Sequence, residues 1–493
     1  WHEFYLASST LNETMQRWQE NTGDLQQLSL ETLLPGLDTF TAELKSRFDA
    51  VKQLLEKEES TFICSDVDLE PDARALQQLS HFHRAALLVA RDQMLALDRL
   101  TRQQIDNMRI IRGDSALPTA SSHQQIPQAF LFIPDPDRLL AAGRVMTALW
   151  LAFLAVIYIG DFPGGFGFIS MCGPIAMALL TMPQIPVAMT YVPVAVGILF
   201  GGFLYIFVMP HLTSFAGLGV MLFLATFFLC YRYSTPRQGL SRAFGLGMLC
   251  VLISVSNQQS YNFLSVANTA LMFPLLFLLL TIVSYLPFSP RPERVLLRLL
   301  KRYFRSAAFL LSQPPTTRGS PLAAWKEAFH RQEIATLPAK LKTWAAHADP
   351  VFLGNESVQN LPEMISRLEA LSYRQQELLE VRALPQSPAL VEALAEDMQA
   401  WRDKVIAALH LLSADPSQSG SLVREGLDKR LARVEQRVAD VLNDQSIEQQ
   451  GREYEANFYR LLGAYRGTSL ALLDFAELAV TVDWNPWFEE RFA

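Results

Sequence analysis

The chain has 493 residues, of which 50% are hydrophobic and 18% charged, and its formal net charge is −7. The charges avoid one long stretch, since residues 139–289 hold only Arg144, Asp161, Arg232, Arg237 and Arg242. This excludes a single water-soluble domain, and the concentrated apolar content excludes wholesale disorder.

Residues 1–137 read as a helical domain with apolar residues every three or four positions, its longest helix running from about Pro71 to Arg112. His81 and His83 stand two apart on that helix, so they point to different sides and make poor metal ligands. A stretch rich in Pro, Ser and Gln over 113–136 leads to the apolar block. The chain opens Trp-His-Glu-Phe, without Met or a signal-peptide pattern, and we expect it to be part of a longer product.

The block at 138–289 divides at Gly, Pro and polar clusters into six runs near the length that crosses a bilayer: 139–160, 164–182, 187–209, 213–231, 240–256 and 262–287. Arg138 and Arg144 precede or open the first run, three Arg lie in the 231–242 connection, and six Arg or Lys follow the last run up to Arg305. The connections at 160–164, 209–213 and 256–262 carry no Lys or Arg. Basic connections stay on the cytoplasmic side, so six spans put both soluble regions in the cytoplasm. Pro174, Pro193 and Pro274 predict kinks inside spans, and Gly197 with Gly201 forms a small-xxx-small pattern for close helix packing.

The polar inventory of the block is short. Asp161 is its carboxylate and His211 its imidazole, both at non-cytoplasmic span ends, and they are the candidates for proton coupling. Arg144 lies about one turn inside the first span, where it either snorkels to the surface or pairs with an anionic group. Asn257, Gln258 and Asn268 supply neutral donors and acceptors around the last hairpin, beside many Phe and Met. Arg144, Asn257, Gln258 and Asn268 are therefore the candidate substrate-binding residues, for a planar, apolar, weakly acidic solute.

Residues 290–493 read as a second helical domain, with helices near 292–312, 321–348, 361–383, 388–413, 419–443 and 447–480. The expected fold is all-α, a six-span bundle flanked by two helical cytoplasmic domains. Phe82-His-Arg84, Arg91 and Asp98 align with Phe458-Tyr-Arg460, Arg466 and Asp474 when one-residue gaps are allowed. Such an internal repeat would place six further spans before Trp1. The phosphate-binding loop and the zinc-protease and serine-hydrolase signatures are missing from the sequence, so we expect neither an enzyme nor a cofactor. The four cysteines show no metal or disulfide spacing, and the acidic soluble parts disfavour nucleic acid.

Several segments resemble the fusaric acid resistance family: Gly143-Arg144-Val-Met-Thr-Ala-Leu-Trp150, Pro163-Gly-Gly165, Leu180-Thr-Met-Pro183, the 231–242 loop, Arg291-Pro-Glu-Arg-Val-Leu-Leu-Arg298, and the closing Asp483-Trp-Asn-Pro-Trp-Phe-Glu-Glu-Arg-Phe492. The resemblance implies an inner-membrane efflux protein for small aromatic carboxylic acids, driven by the proton gradient and working with a periplasmic membrane fusion protein. We also expect a homo-oligomer. The alternative is a membrane scaffold acting through its helical domains, with an anion channel as a weaker third reading.

Overall fold

The computed structural model describes residues 30–56, 62–112 apart from 78 and 80, 133–255 apart from 183, 185, 236 and 237, 261–313, 320–416 apart from 387, and 452–488, with scattered positions in 4–18 and 433–437. Among these, regular structure is entirely helical. The long helices are α1 (Leu37–Leu55), α2 (His81–Arg112), α3 (Pro136–Tyr158), α4 (Phe166–Leu180), α5 (Tyr191–Phe203), α6 (Phe215–Arg232), α7 (Gly239–Ile253), α8 (Phe263–Ser284), α9 (Pro292–Ser312), α10 (Pro321–Ala345), α11 (Asn355–Arg382), α12 (Pro388–Ala414) and α13 (Arg452–Thr481). Two compact units result, one of Pro134–Val295 and one combining Trp1–Ile133 with Leu296–Ala493.

In the first of these, the membrane unit, α3 starts where Pro136 follows Asp135, whose side chain accepts from the Asp137 backbone N–H. Among the described residues, four segments are long and apolar enough to cross a membrane: Pro136–Tyr158, Val187–His211, Phe215–Arg232 and Val266–Ser284. The expected second and fifth spans form α4 and α7, apolar helices of 15 residues each. At 1.5 Å per residue each extends roughly 22 Å, short of a straight crossing.

The third run is not one uniform helix. It opens with a 3-10 turn at Val187–Thr190, continues as α5, widens into a π turn at Leu204–Val208, and closes with a 3-10 turn at Met209–His211. Pro193 lacks a backbone donor near the start, and Pro210 sits in the closing turn. The π turn buries Tyr205, whose hydroxyl accepts from the Asn262 backbone N–H, while the Tyr261 hydroxyl donates to the Met209 carbonyl at 3.0 Å. The third segment is thereby tied to the start of α8.

α8 is the centre of the unit, packing on α3, α4 and α5. Phe273, Leu276, Phe277, Leu280 and Val283 are fully buried at helical spacing along it. α5 and α7 approach closely because Gly197 faces Gly245: a Cβ at Gly197 would lie 2.8 Å from the Gly245 carbonyl oxygen. α6 is peripheral and points Phe223, Phe227 and Tyr231, stacked one turn apart, away from the bundle. In a membrane protein such a face meets acyl chains.

In the helical unit, α9 buries Leu299, Leu300, Tyr303 and Phe304 on one face. Phe304 packs edge-on against Phe475 of α13, and Arg302 grips the Glu333 carboxylate of α10 with two hydrogen bonds of 2.9 and 2.7 Å. α2 and α13, which carry the two similar Phe-x-Arg segments, pack together. Gly463 seats against Ala85 and Val89, Arg460 binds the Asp92 carboxylate, and Arg84 covers the Tyr459 ring. The helix expected from Pro71 is divided into Ala73–Gln77 and α2, and α11 begins at Asn355, ahead of Pro362. The helix expected at 419–443 lies outside the described residues but for isolated positions.

Two predictions follow from packing and from burial. Gly197→Ala should destabilise the membrane unit by about 1–3 kcal/mol. Gly143→Ala, with open space at its Cβ position, should leave stability nearly unchanged, as thermal unfolding in micelles would show. In the helical unit His330 is half-buried against Phe309 and bonded to the Ser306 hydroxyl. Burial, with Lys326 nearby, pushes its pKa below the ordinary 6.5. The unfolded chain therefore takes up a proton that the folded one resists, so this stability is present above pH 6.5 and lost as pH falls through the folded pKa. His330→Gln should flatten the acid side of a stability-against-pH curve.

Candidate functional site

At one end of the membrane unit, Arg144 of α3 is only 5% exposed. Its Nε donates to the Leu286 carbonyl at 2.8 Å and its Nη2 to the Phe288 carbonyl at 2.6 Å. The stretch after α8 has left the helix, and the guanidinium donates to two of its carbonyls. Its positive charge also suits the negative end of the α8 dipole. Of the two expected outcomes for Arg144, snorkelling is corrected by this burial: the side chain turns inward and clamps the chain's exit from α8.

The clamp forms one wall of a pocket of about 90 Å³. Leu179 and Leu180 close one side from the end of α4, Pro186 and Val187 another from the start of the third segment, and Ser284 and Tyr285 the floor at the end of α8. Pro290, Arg291 and Pro292 complete it. Two prolines restrict the backbone on both sides of Arg291 and hold its position. Arg144 and Arg291 are the charged residues of this lining, with Gln184, Ser284 and Tyr285 as neutral polar groups. No carboxylate lines it among the described residues. Its lining pairs two cationic side chains with apolar ones, a composition complementary to a small anion whose remaining surface is apolar.

The other candidates lie elsewhere. Asp161 follows the far end of α3, exposed in a turn at φ +54°, and His211 ends the third segment, also exposed. Asn268 is exposed near the start of α8, about four turns from Ser284. All three stand roughly 20 Å or more along their helices from the Arg144 end. The structure does not bring Arg144 and Asn268 together. Asn257 and Gln258 fall outside the described residues. No group of three or more His, Cys, Asp or Glu able to hold a metal occurs among the described residues.

The profile of the fusaric acid resistance protein family matches residues 4–476, spanning both units. The chain belongs to that family. The fusaric acid resistance proteins are associated with membrane efflux of fusaric acid and similar compounds, a transport role and not an enzymatic one. Comparison with curated proteins finds no significant match. Within this member of the family, sequence reasoning used Arg291 only for orientation and resemblance. The signal that would have promoted it is its setting, Pro-Arg-Pro directly after the last apolar run.

The clamp makes a testable claim about Arg144. Arg144→Met should leave the Leu286 and Phe288 carbonyls without this donor, costing roughly 1–3 kcal/mol. Arg144→Lys should recover part of this, since an ammonium is a point charge and not a fork. Arg138→Met, at an exposed position, serves as the neutral comparison in the same unfolding measurement.

Proposed function

We propose that this protein exports small aromatic carboxylic acids across the bacterial inner membrane, with its basic end and its helical unit in the cytoplasm. The observation that carries the reading is the pocket that sets two guanidinium-bearing residues against an apolar wall without a lining carboxylate. An aromatic carboxylate divides in the same way, into a planar apolar ring and an anionic head. Arg291 holds the head, Arg144 keeps the floor in place and adds its charge, and Leu180 and Val187 face the ring.

Release is assigned to the opposite end, where Asp161 and His211 exchange protons with the outside and Asn257, Gln258 and Asn268 give the departing solute neutral hydrogen-bond partners. The imported proton drives the return to the inward-facing state. The substrate then passes to a periplasmic membrane fusion protein, and the exporter works as a homo-oligomer.

The experiment is efflux of labelled 4-hydroxybenzoate from cells making the full natural protein. Expression should lower accumulation, Arg291→Gln should cut efflux about tenfold, the loss of one charge-assisted contact, and Arg291→Lys should restore part of it. Asp161→Asn should remove the dependence of efflux on external pH. Equal accumulation with and without the protein across a panel of aromatic acids overturns the reading. Full efflux by Arg291→Gln removes the pocket from it.

A further inference from the structure

α9 carries five basic residues, and four of them share one side. A helix turns about 100° per residue, so Arg294, Arg298, Lys301 and Arg305 fall within an arc of roughly 60° and file along about 16 Å of one face. The fifth, Arg302, stands beside the file and is taken by Glu333. Leu299, Tyr303 and Leu310 lie on the opposite side and are buried, whereas Lys301 and Arg305 are exposed and Arg294 and Arg298 half-buried. The one acid of α9, Glu293, is turned about 100° away from Arg294.

Like charges three and four residues apart on a helix repel one another, so this file destabilises α9 unless an anion faces it. Its place in the chain points to which anion. Pro292 shares the pocket lining with Leu180 at the end of α4 and Ser284 at the end of α8, so α9 starts level with the end of the candidate span Val266–Ser284. Lipid phosphates lie at that level. The spans hold the lipid surface beside the file, so contacts that are weak singly act in concert. Nucleic acid, the other common polyphosphate, would meet a chain of net charge −7.

We propose that the face of α9 carrying Arg294, Arg298, Lys301 and Arg305 binds the phosphate headgroups of anionic lipids. Such binding needs the membrane spans but not export, so it is independent of the cargo. The test is displacement of a fluorescent phosphatidylglycerol from the full-length protein in non-ionic micelles. Unlabelled phosphatidylglycerol should compete, phosphatidylcholine and inorganic phosphate at equal concentration should not, and added salt should weaken binding. Lys301→Gln with Arg305→Gln should lower affinity about twenty-fivefold, about fivefold for each cation, while Lys301→Arg with Arg305→Lys should keep it. Lys52→Gln with Lys404→Gln, two exposed cations of other helices, should leave it unchanged. Competition by phosphatidylcholine or by inorganic phosphate equal to that by phosphatidylglycerol, or the same affinity in both Gln pairs, overturns the proposal.

Discussion

The basic end of the membrane unit depends on one buried guanidinium. In hydrocarbon every backbone polar group needs a partner within the protein. The chain leaving α8 passes into tighter turn hydrogen bonds at Tyr285 and Leu286 and then leaves the helix. Arg144 meets that need by donating to two carbonyls of the exiting stretch, Leu286 and Phe288. Joining α3 to the exit fixes where Pro290, Arg291 and Pro292 come to rest, which is against the ends of α4 and the third segment. The pocket is a consequence of that closure, because its floor and one wall are the stretch that Arg144 holds.

The opposite end is closed by different means. There the π turn swings Tyr205 inward to meet the start of α8, and Tyr261 reaches back to Met209. Between the two ends, Phe273 and Phe277 fill the middle of the bundle without exposure. A solute passing from the Arg291 pocket to the far end must therefore displace side chains of α8 or move α8 against its neighbours. The third segment joins the two ends, lining the pocket through Val187 and carrying its widened turn at the other end.

Much of this was legible from the sequence, and the parts that were not share a cause. The six apolar runs became six helical segments with ends displaced by a few residues, because hydrophobic period and Pro or Gly punctuation are local signals. Gly197 was readable as a packing residue for the same reason. The fate of Arg144 was not, since its partners are carbonyls more than 140 positions away, and a carbonyl belongs to every residue and leaves no mark in the letters. Arg291 was hidden by its neighbours: among six basic residues after the last span, only its prolines set it apart. The π turn escaped because Leu-Tyr-Ile-Phe-Val reads as ordinary helix. Its partner Asn262 lies 57 residues on, beyond the reach of a local pattern.

The helical unit follows the same logic of distant polar partners. Asp92 on α2 is met by Arg460 on α13, and Gln93 on the next position donates to Glu377 on α11. Truncating Gln93 would strip a hydrogen bond from the buried Glu377 carboxylate, a larger penalty than the pair's net contribution, whereas the half-exposed Arg460–Asp92 pair has water within reach. The two flanks of the membrane block are thus written to complete each other, with the block inserted in the sequence between them. Because α13 follows the membrane segments in the sequence, α2 obtains its partner Arg460 only after those segments have been synthesised.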